Sequence, residues 1–161
     1  MSIALAATAP SMARSMRLTL SPFCSGGADP TTWLGSHQFV RATFTPDGPA
    51  TLSISWGSDD GERIDAEAWG AGAAWLLGRV PGYTGLDDVA VELPHVYPVV
   101  TRAAHDHPGL RLGASGGLYH ELLPTIIAQR ITGGEALRQW RALCLELGEP
   151  APGPFARLRL P

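Results

Sequence analysis

A chain of 161 residues, 45% hydrophobic and 17% charged, holds enough apolar material for one respectable core or two small ones, which excludes disorder over its whole length. Its net charge of −3, from 12 basic and 15 acidic residues, excludes a uniformly basic, polyanion-seeking surface. Two cysteines, Cys24 and Cys144, are too few for a disulfide framework, a four-thiolate metal site or an iron–sulfur cluster, and fit a reduced, cytoplasmic protein.

Residues 1–15 open on a short apolar run without a basic start, which predicts a disordered tail and not a signal peptide. Residues 16–20 alternate as a strand does, and residues 37–45 are rich in β-branched and aromatic types. A Pro/Gly turn at 45–49 leads into residues 50–56, where alternation sets Leu52, Ile54 and Trp56 on one face. After a second turn at 57–61, residues 62–66 predict a further antiparallel strand. Residues 68–77, with Trp69, Ala73, Leu76 and Leu77 at helical spacing, predict the helix that covers the sheet. Residues 80–85, followed by Asp87 and Asp88, break the pattern and read as a connector. The sheet domain is thus expected over residues 16–92.

Helices are expected beyond it, over residues 93–161. Pro98 suits the first turn of a helix running to about His105, which Pro108-Gly109 ends. Leu118, Leu122, Ile126 and Ile127 form an apolar stripe, with Pro124 either kinking the helix or marking its first turn. Thr132-Gly133-Gly134-Glu135 is an S/T-x-x-E capping box. It starts a second helix with Leu137, Trp140, Leu143, Cys144 and Leu147 on one side, stopped by Gly148 and Pro150. No apolar run reaches the roughly 18 residues of a membrane span.

Charge is divided unevenly between these parts. Residues 1–92 carry 5 Arg against 10 acids, and residues 93–161 carry 7 Arg against 5, so nucleic-acid contact is expected only in the second. All 12 basic residues are Arg, which a GC-rich coding sequence explains and which also suits phosphate recognition.

The corner between the last two helices, Gln129, Arg130, Ile131, Thr132, Gly133 and Gly134, combines free helix amides, the positive end of the macrodipole and two glycines that admit close approach. Two readings stand: a phosphate cradle, with Arg130 adding a full charge or entering a groove, or an ordinary helix–helix turn. Other clusters carry less. His105-Asp106-His107 cannot share one helix face, His95 stands apart, and His120-Glu121 lacks the remainder of H-E-x-x-H, so no metal site is expected. The pairs Asp59/Asp60 and Asp87/Asp88 fall in turns, which suits local hydrogen bonding better than catalysis. Residues 113–117 superficially look like a phosphate loop but lack the Lys-Ser/Thr that completes one. Trp33, Trp56, Trp69, Trp75 and Trp140 fall mostly on apolar stripes and are expected in the core.

Pro108-Gly-Leu-Arg-Leu112 followed by residues 119–136, Tyr-His-Glu-Leu-Leu-Pro-Thr-Ile-Ile-Ala-Gln-Arg-Ile-Thr-Gly-Gly-Glu-Ala, resembles the segment that opens the helical domain of 3-methyladenine DNA glycosylase II proteins, with the same spacing. Residues 29–32 and 45–52 are similar to an actinobacterial-type branch of that family, so the resemblance runs through most of the chain from Leu18. It implies an α+β protein: a small antiparallel sheet domain like half of a TATA-binding protein, then the first helices of an all-α DNA glycosylase domain. It implies base-excision repair of alkylated double-stranded DNA by base flipping and hydrolysis of the N-glycosidic bond, without metal or cofactor.

By the same resemblance Gln129, Arg130, Thr132, Gly133 and Gly134 face DNA, Arg130 standing where the family can carry an apolar wedge. The family's hairpin and catalytic carboxylate correspond to no residue among 1–161, so no catalytic residue is assigned and the chain alone is expected to be inactive. The implied setting is cytoplasmic and nucleoid-associated, as a monomer or together with a C-terminal part. A non-catalytic DNA- or protein-binding module is the alternative, and a small-ligand carrier has only the apolar sheet faces in its favour.

Overall fold

The computed structural model describes residues 1–6, 10–57, 63–89 and 97–161. Strands β2 (Thr32–Leu34), β3 (Gln38–Thr45), β4 (Gly48–Trp56) and β5 (Arg63–Gly70) form an antiparallel meander. Strand β1 (Ser2–Ala6) pairs antiparallel with the outer side of β5, giving a five-stranded sheet in the order β1-β5-β4-β3-β2. Helix α1 (Pro10–Leu20) carries the chain from one edge strand to the other. The protein is therefore α+β, with an antiparallel sheet and helices.

The strict alternation of β4 builds the main core. Ala50, Leu52, Ile54 and Trp56 point to one face, where register places Ile54 beside Phe39 and Ala66. Met16 and Leu20 of α1, Phe23 of a following 3₁₀ turn, and Leu76, Leu77, Val80 and Tyr83 close over them. Each fully buried Leu or Ile contributes about 1.5–3 kcal/mol, which makes this face the chief source of stability. The tight β3–β4 turn is held by Thr45 Oγ1, which donates to Gly48 O at 2.8 Å and accepts from Asp47 N at 3.1 Å. The opposite face is thinner: Val40 and Ala42 are covered by Ala151, Phe155, Leu158 and Leu160.

Four expectations change. Residues 16–20 are helical, because Met16 and Leu20, four apart, share the helix face that covers the sheet, and so short an apolar run fits either period. The expected tail contains β1 and the first half of α1; an edge strand is recruited by the free backbone groups of β5, which its own sequence does not announce. The covering helix starts later than expected. Residues 68–70 still belong to β5, the chain turns at Gly70, whose φ of +99° and contact with Pro49 O leave no room for a side chain, and α2 runs Ala73–Gly78. The connector at 80–85 contains a short helix, α3 (Val80–Thr84), ended by left-handed Gly85. Residues 63–66 of the strand predicted at 62–66 are part of β5, while residue 62, most of the turn at 57–61 and the boundary near residue 93 lie outside the described residues.

Helices α4 (Pro98–Asp106), α5 (Leu118–Ile127) and α6 (Gly133–Glu146) follow as expected. After α6 the chain returns to the sheet, and Arg159 N donates to Pro30 O at 2.8 Å. Gly148 makes that return: a Cβ there would stand 2.3 Å from both Cys144 O and Leu160 O. Gly148→Ala is accordingly expected to destabilise the protein by about 1–3 kcal/mol. Gly78→Ala, at the open end of α2, should stabilise it by about 0.5–1 kcal/mol. Thermal denaturation of the two variants side by side checks both signs.

Candidate functional site

Two sites are built by the helices, one buried where they meet the sheet and one exposed at the turn between α5 and α6. The buried one starts from Arg41, in the middle of β3 and 1% exposed. Its neighbours Val40 and Ala42 point to the second sheet face, so Arg41 points with Phe39 into the main core. There its guanidinium lies 5.5 Å from the Phe23 ring centroid and 5.9 Å from that of Tyr83. A charge so placed requires partners, and α5 supplies them: Glu121 Oε1 lies 2.8 Å from Nη1, and His120 Nδ1 accepts from Nε at 3.2 Å. Neither Nη1 nor Glu121 Oε1 has a well-directed hydrogen bond, so their contact is one of charge.

From His120 a hydrogen-bonded chain continues to the loop before β2. Arginine only donates and a carboxylate only accepts, which fixes every proton between them. Arg41 donates to Nδ1, Nε2–H donates to Thr31 Oγ1 at 3.0 Å, and Thr31 Oγ1 donates to Asp29 Oδ1 at 2.7 Å. Asp29 Oδ1 also accepts from Thr31 N and from Trp140 Nε1 of α6, and its Oδ2 accepts from Ser25 N. The Trp140 ring packs 5.7 Å from the imidazole. Burial first, and the Arg41 charge second, push His120 well below its ordinary value, so it is neutral. Burial likewise raises Tyr83, Cys24 (to about 11) and Cys144 (to about 12), with Asp29 adding to both thiols. Both cysteines are thus thiols and not thiolates; at Cys24, Arg41 and Arg17 pull the other way but are outweighed by burial and Asp29.

The exposed site is the corner between α5 and α6. Gln129, Arg130, Thr132, Gly133 and Gly134 come together there, all exposed. Thr132 is the N-cap of α6, its side chain accepting from Glu135 N at 3.3 Å, as the capping box predicts. The Glu135 carboxylate does not return the bond to the corner: Gln139 and Arg138 hold it, and those contacts lower its pKa. Cβ positions at Gly133 and Gly134 face open space or the end of Arg138, so a ligand can reach the backbone. Arg130 adopts φ +65°, the one left-handed residue other than glycine among the described residues. In an L-residue this costs on the order of 1–2 kcal/mol, and it occupies a position past the helix end where glycine is usual.

The remaining candidates separate. His105 and Asp106 pair on the surface, Asp88 Oδ2 accepts from Leu112 N as a loop closure, and His95, Asp59 and Asp60 lie outside the described residues. No cluster of three metal-ligating side chains occurs among the described residues. Residues 113–117 lead into α5, with Ser115 buried. Trp56 and Trp140 are core as expected, but Trp33 is exposed on the edge strand β2. The residues overlooked in the sequence are Asp29, Thr31 and Arg41; an Arg in the middle of the apolar run Phe39-Val40-Arg41-Ala42 was the signal for them.

No protein-family model matches the chain, and no curated protein matches it. Among the described residues no helix is long and apolar enough to cross a membrane.

Removing Arg41 leaves Glu121 without its cation and His120 without its donor. Arg41→Ala is expected to lower stability by about 3–5 kcal/mol, against little change for Arg63→Ala, whose ion pair with Asp65 is on the surface. Chemical denaturation followed by tryptophan emission distinguishes the two.

Proposed function

We propose that the chain is the N-terminal, DNA-contacting part of a base-excision glycosylase of the 3-methyladenine II type, acting on double-stranded DNA with alkylated bases in the cytoplasm. In this reading the sheet corresponds to the family's TATA-binding-protein-like half, and α4 to α6 open its helical domain. The observation that carries it is the exposed α5–α6 corner, where Arg130 stands in a strained left-handed conformation beside the amides that open α6. Such strain at an exposed arginine is a mark of use, since glycine would fit the backbone more easily. Phosphate contact by the amides positions the duplex, and Arg130 reaches its groove. Base release requires a carboxylate that none of these residues supplies, so binding without cleavage is the activity assigned to this chain.

A second reading, a non-catalytic protein-binding module, is favoured by one observation. The apolar stripe of α5 faces outward, with Leu118 75% and Ile126 50% exposed. In the first reading the family's further helices cover this stripe; in the second a partner does.

Fluorescence anisotropy on a short duplex tests the proposal. Affinity should fall as salt rises, and Arg130→Ala should weaken binding by about 1 kcal/mol or more. Arg130→Gly should weaken it similarly while leaving stability equal or up to about 1 kcal/mol higher, because strain is relieved. Binding indifferent to salt and to both substitutions rejects the DNA reading. Incubation with alkylated duplex is expected to release no 3-methyladenine, and measurable release would overturn the assignment of binding without chemistry.

A further inference from the structure

The buried chain of hydrogen bonds is also a joint. His120 and Glu121 on α5 and Trp140 on α6 bind these helices to Arg41 of β3 and to the Asp29–Thr31 loop, and Arg141 of α6 adds a surface bond to Ala28 O at 2.9 Å. The apolar residues Leu118, Leu122 and Ile126 of α5 play no part in it, being exposed. Beside the buried Ala136, Trp140 and Cys144 of α6, the α5–α6 pair is therefore held by a polar joint in which each proton from Arg41 to Asp29 has one allowed position.

We propose that this joint is an acid-sensitive latch: protonation of His120 Nδ1 sets a second N–H against the Arg41 Nε–H, expels the imidazole and releases the α5–α6 hairpin from the sheet while the sheet stays folded. Nδ1 is the only free lone pair of the ring, since Nε2 already carries the proton given to Thr31. The charges around it do not offset a second cation. Arg41 faces Nδ1 directly, Glu121 is engaged on the far side of the guanidinium at Nη1, and Asp29 is reached only through Thr31. From α3, Tyr83 lies against the guanidinium, and Cys24 and Cys144 lie near Asp29 as neutral thiols. From α6, the Trp140 indole donates to Asp29 and brings no compensating charge.

The sign follows from linkage. A histidine harder to protonate docked than free contributes its full stabilisation above the free value near 6.5 and loses it as pH falls through that value. Hence the equilibrium constant for opening rises roughly thirty-fold between pH 7.5 and pH 5, taking protonation in the open form alone. The latch stands apart from the DNA reading, since His120, Arg41, Thr31 and Trp140 are buried and the corner's residues are exposed.

Amide hydrogen exchange of the native chain, corrected for intrinsic rates, tests it, with the Trp140 indole proton followed by NMR. Protection in α5 and α6 and of the Trp140 indole should fall about thirty-fold from pH 7.5 to pH 5, while β3, β4 and β5 keep theirs. Unchanged protection in α5 and α6, or equal loss in sheet and helices, overturns the proposal. His120→Gln, which offers an acceptor to Arg41 and a donor to Thr31 without titrating, should abolish the dependence. Should the dependence persist in that variant, the latch lies elsewhere and the assignment to His120 fails. Should the variant not fold, the native-chain measurement decides.

Discussion

A positive charge inside the main core is the constraint around which the rest of the protein is arranged. Arg41 points from the middle of β3 between Phe23 and Tyr83, and burying an unpaired guanidinium is costly enough to unfold a domain of this size. Phe23 and Tyr83 give it only aromatic faces. Its counter-charge and its acceptor come from Glu121 and His120, consecutive residues on a helix about 80 positions later in the chain. Docking of α5 and pairing of that charge are therefore one event in energetic terms. The cost of leaving either partner alone is larger than the net gain from the pair itself, so the interaction specifies an arrangement more than it adds stability.

That constraint also accounts for the unusual orientation of α5. A helix with leucine and isoleucine four residues apart ordinarily turns that stripe inward. Here the buried residue of the helix is His120, and Leu118, Leu122 and Ile126 face outward. Helix α6 makes a compromise: Trp140 and Cys144 face the joint, whereas Leu137 and Leu147, on the same predicted side, remain exposed. With the polar joint fixing the rotation of the hairpin, its apolar surface is left for something else to cover. Leucines and isoleucines exposed together in this way mark an association surface more often than an idle one.

The hairpin's far end, meanwhile, keeps the corner in solvent. Thr132 closes the first turn of α6, Gln139 and Arg138 draw the Glu135 carboxylate along the helix, and the backbone of Gly133 and Gly134 is left open. Arg130 holds a conformation that glycine would hold with less strain. Local chemistry and tertiary placement agree at this corner: the cap forms as its residues predict, and the turn stays in solvent.

The period of the sequence by itself determined the β3–β4 hairpin, the inward face of β4, the extent of α6 and the capping box, because alternation, turn chemistry and capping act over a few residues, whereas Pro124 left the start of α5 open and the structure sets it inside the helix. It did not determine whether residues 16–20 were strand or helix, since a short apolar run fits both periods and only the sheet face beneath Met16 and Leu20 chose between them. The first strand depended on an open edge of β5, a long-range property. The joint of Arg41, His120, Thr31 and Asp29 was decided by tertiary structure alone: its members lie up to 91 positions apart, and a buried charge is satisfied by whatever the fold brings within about 3 Å, not by what stands next to it in the chain.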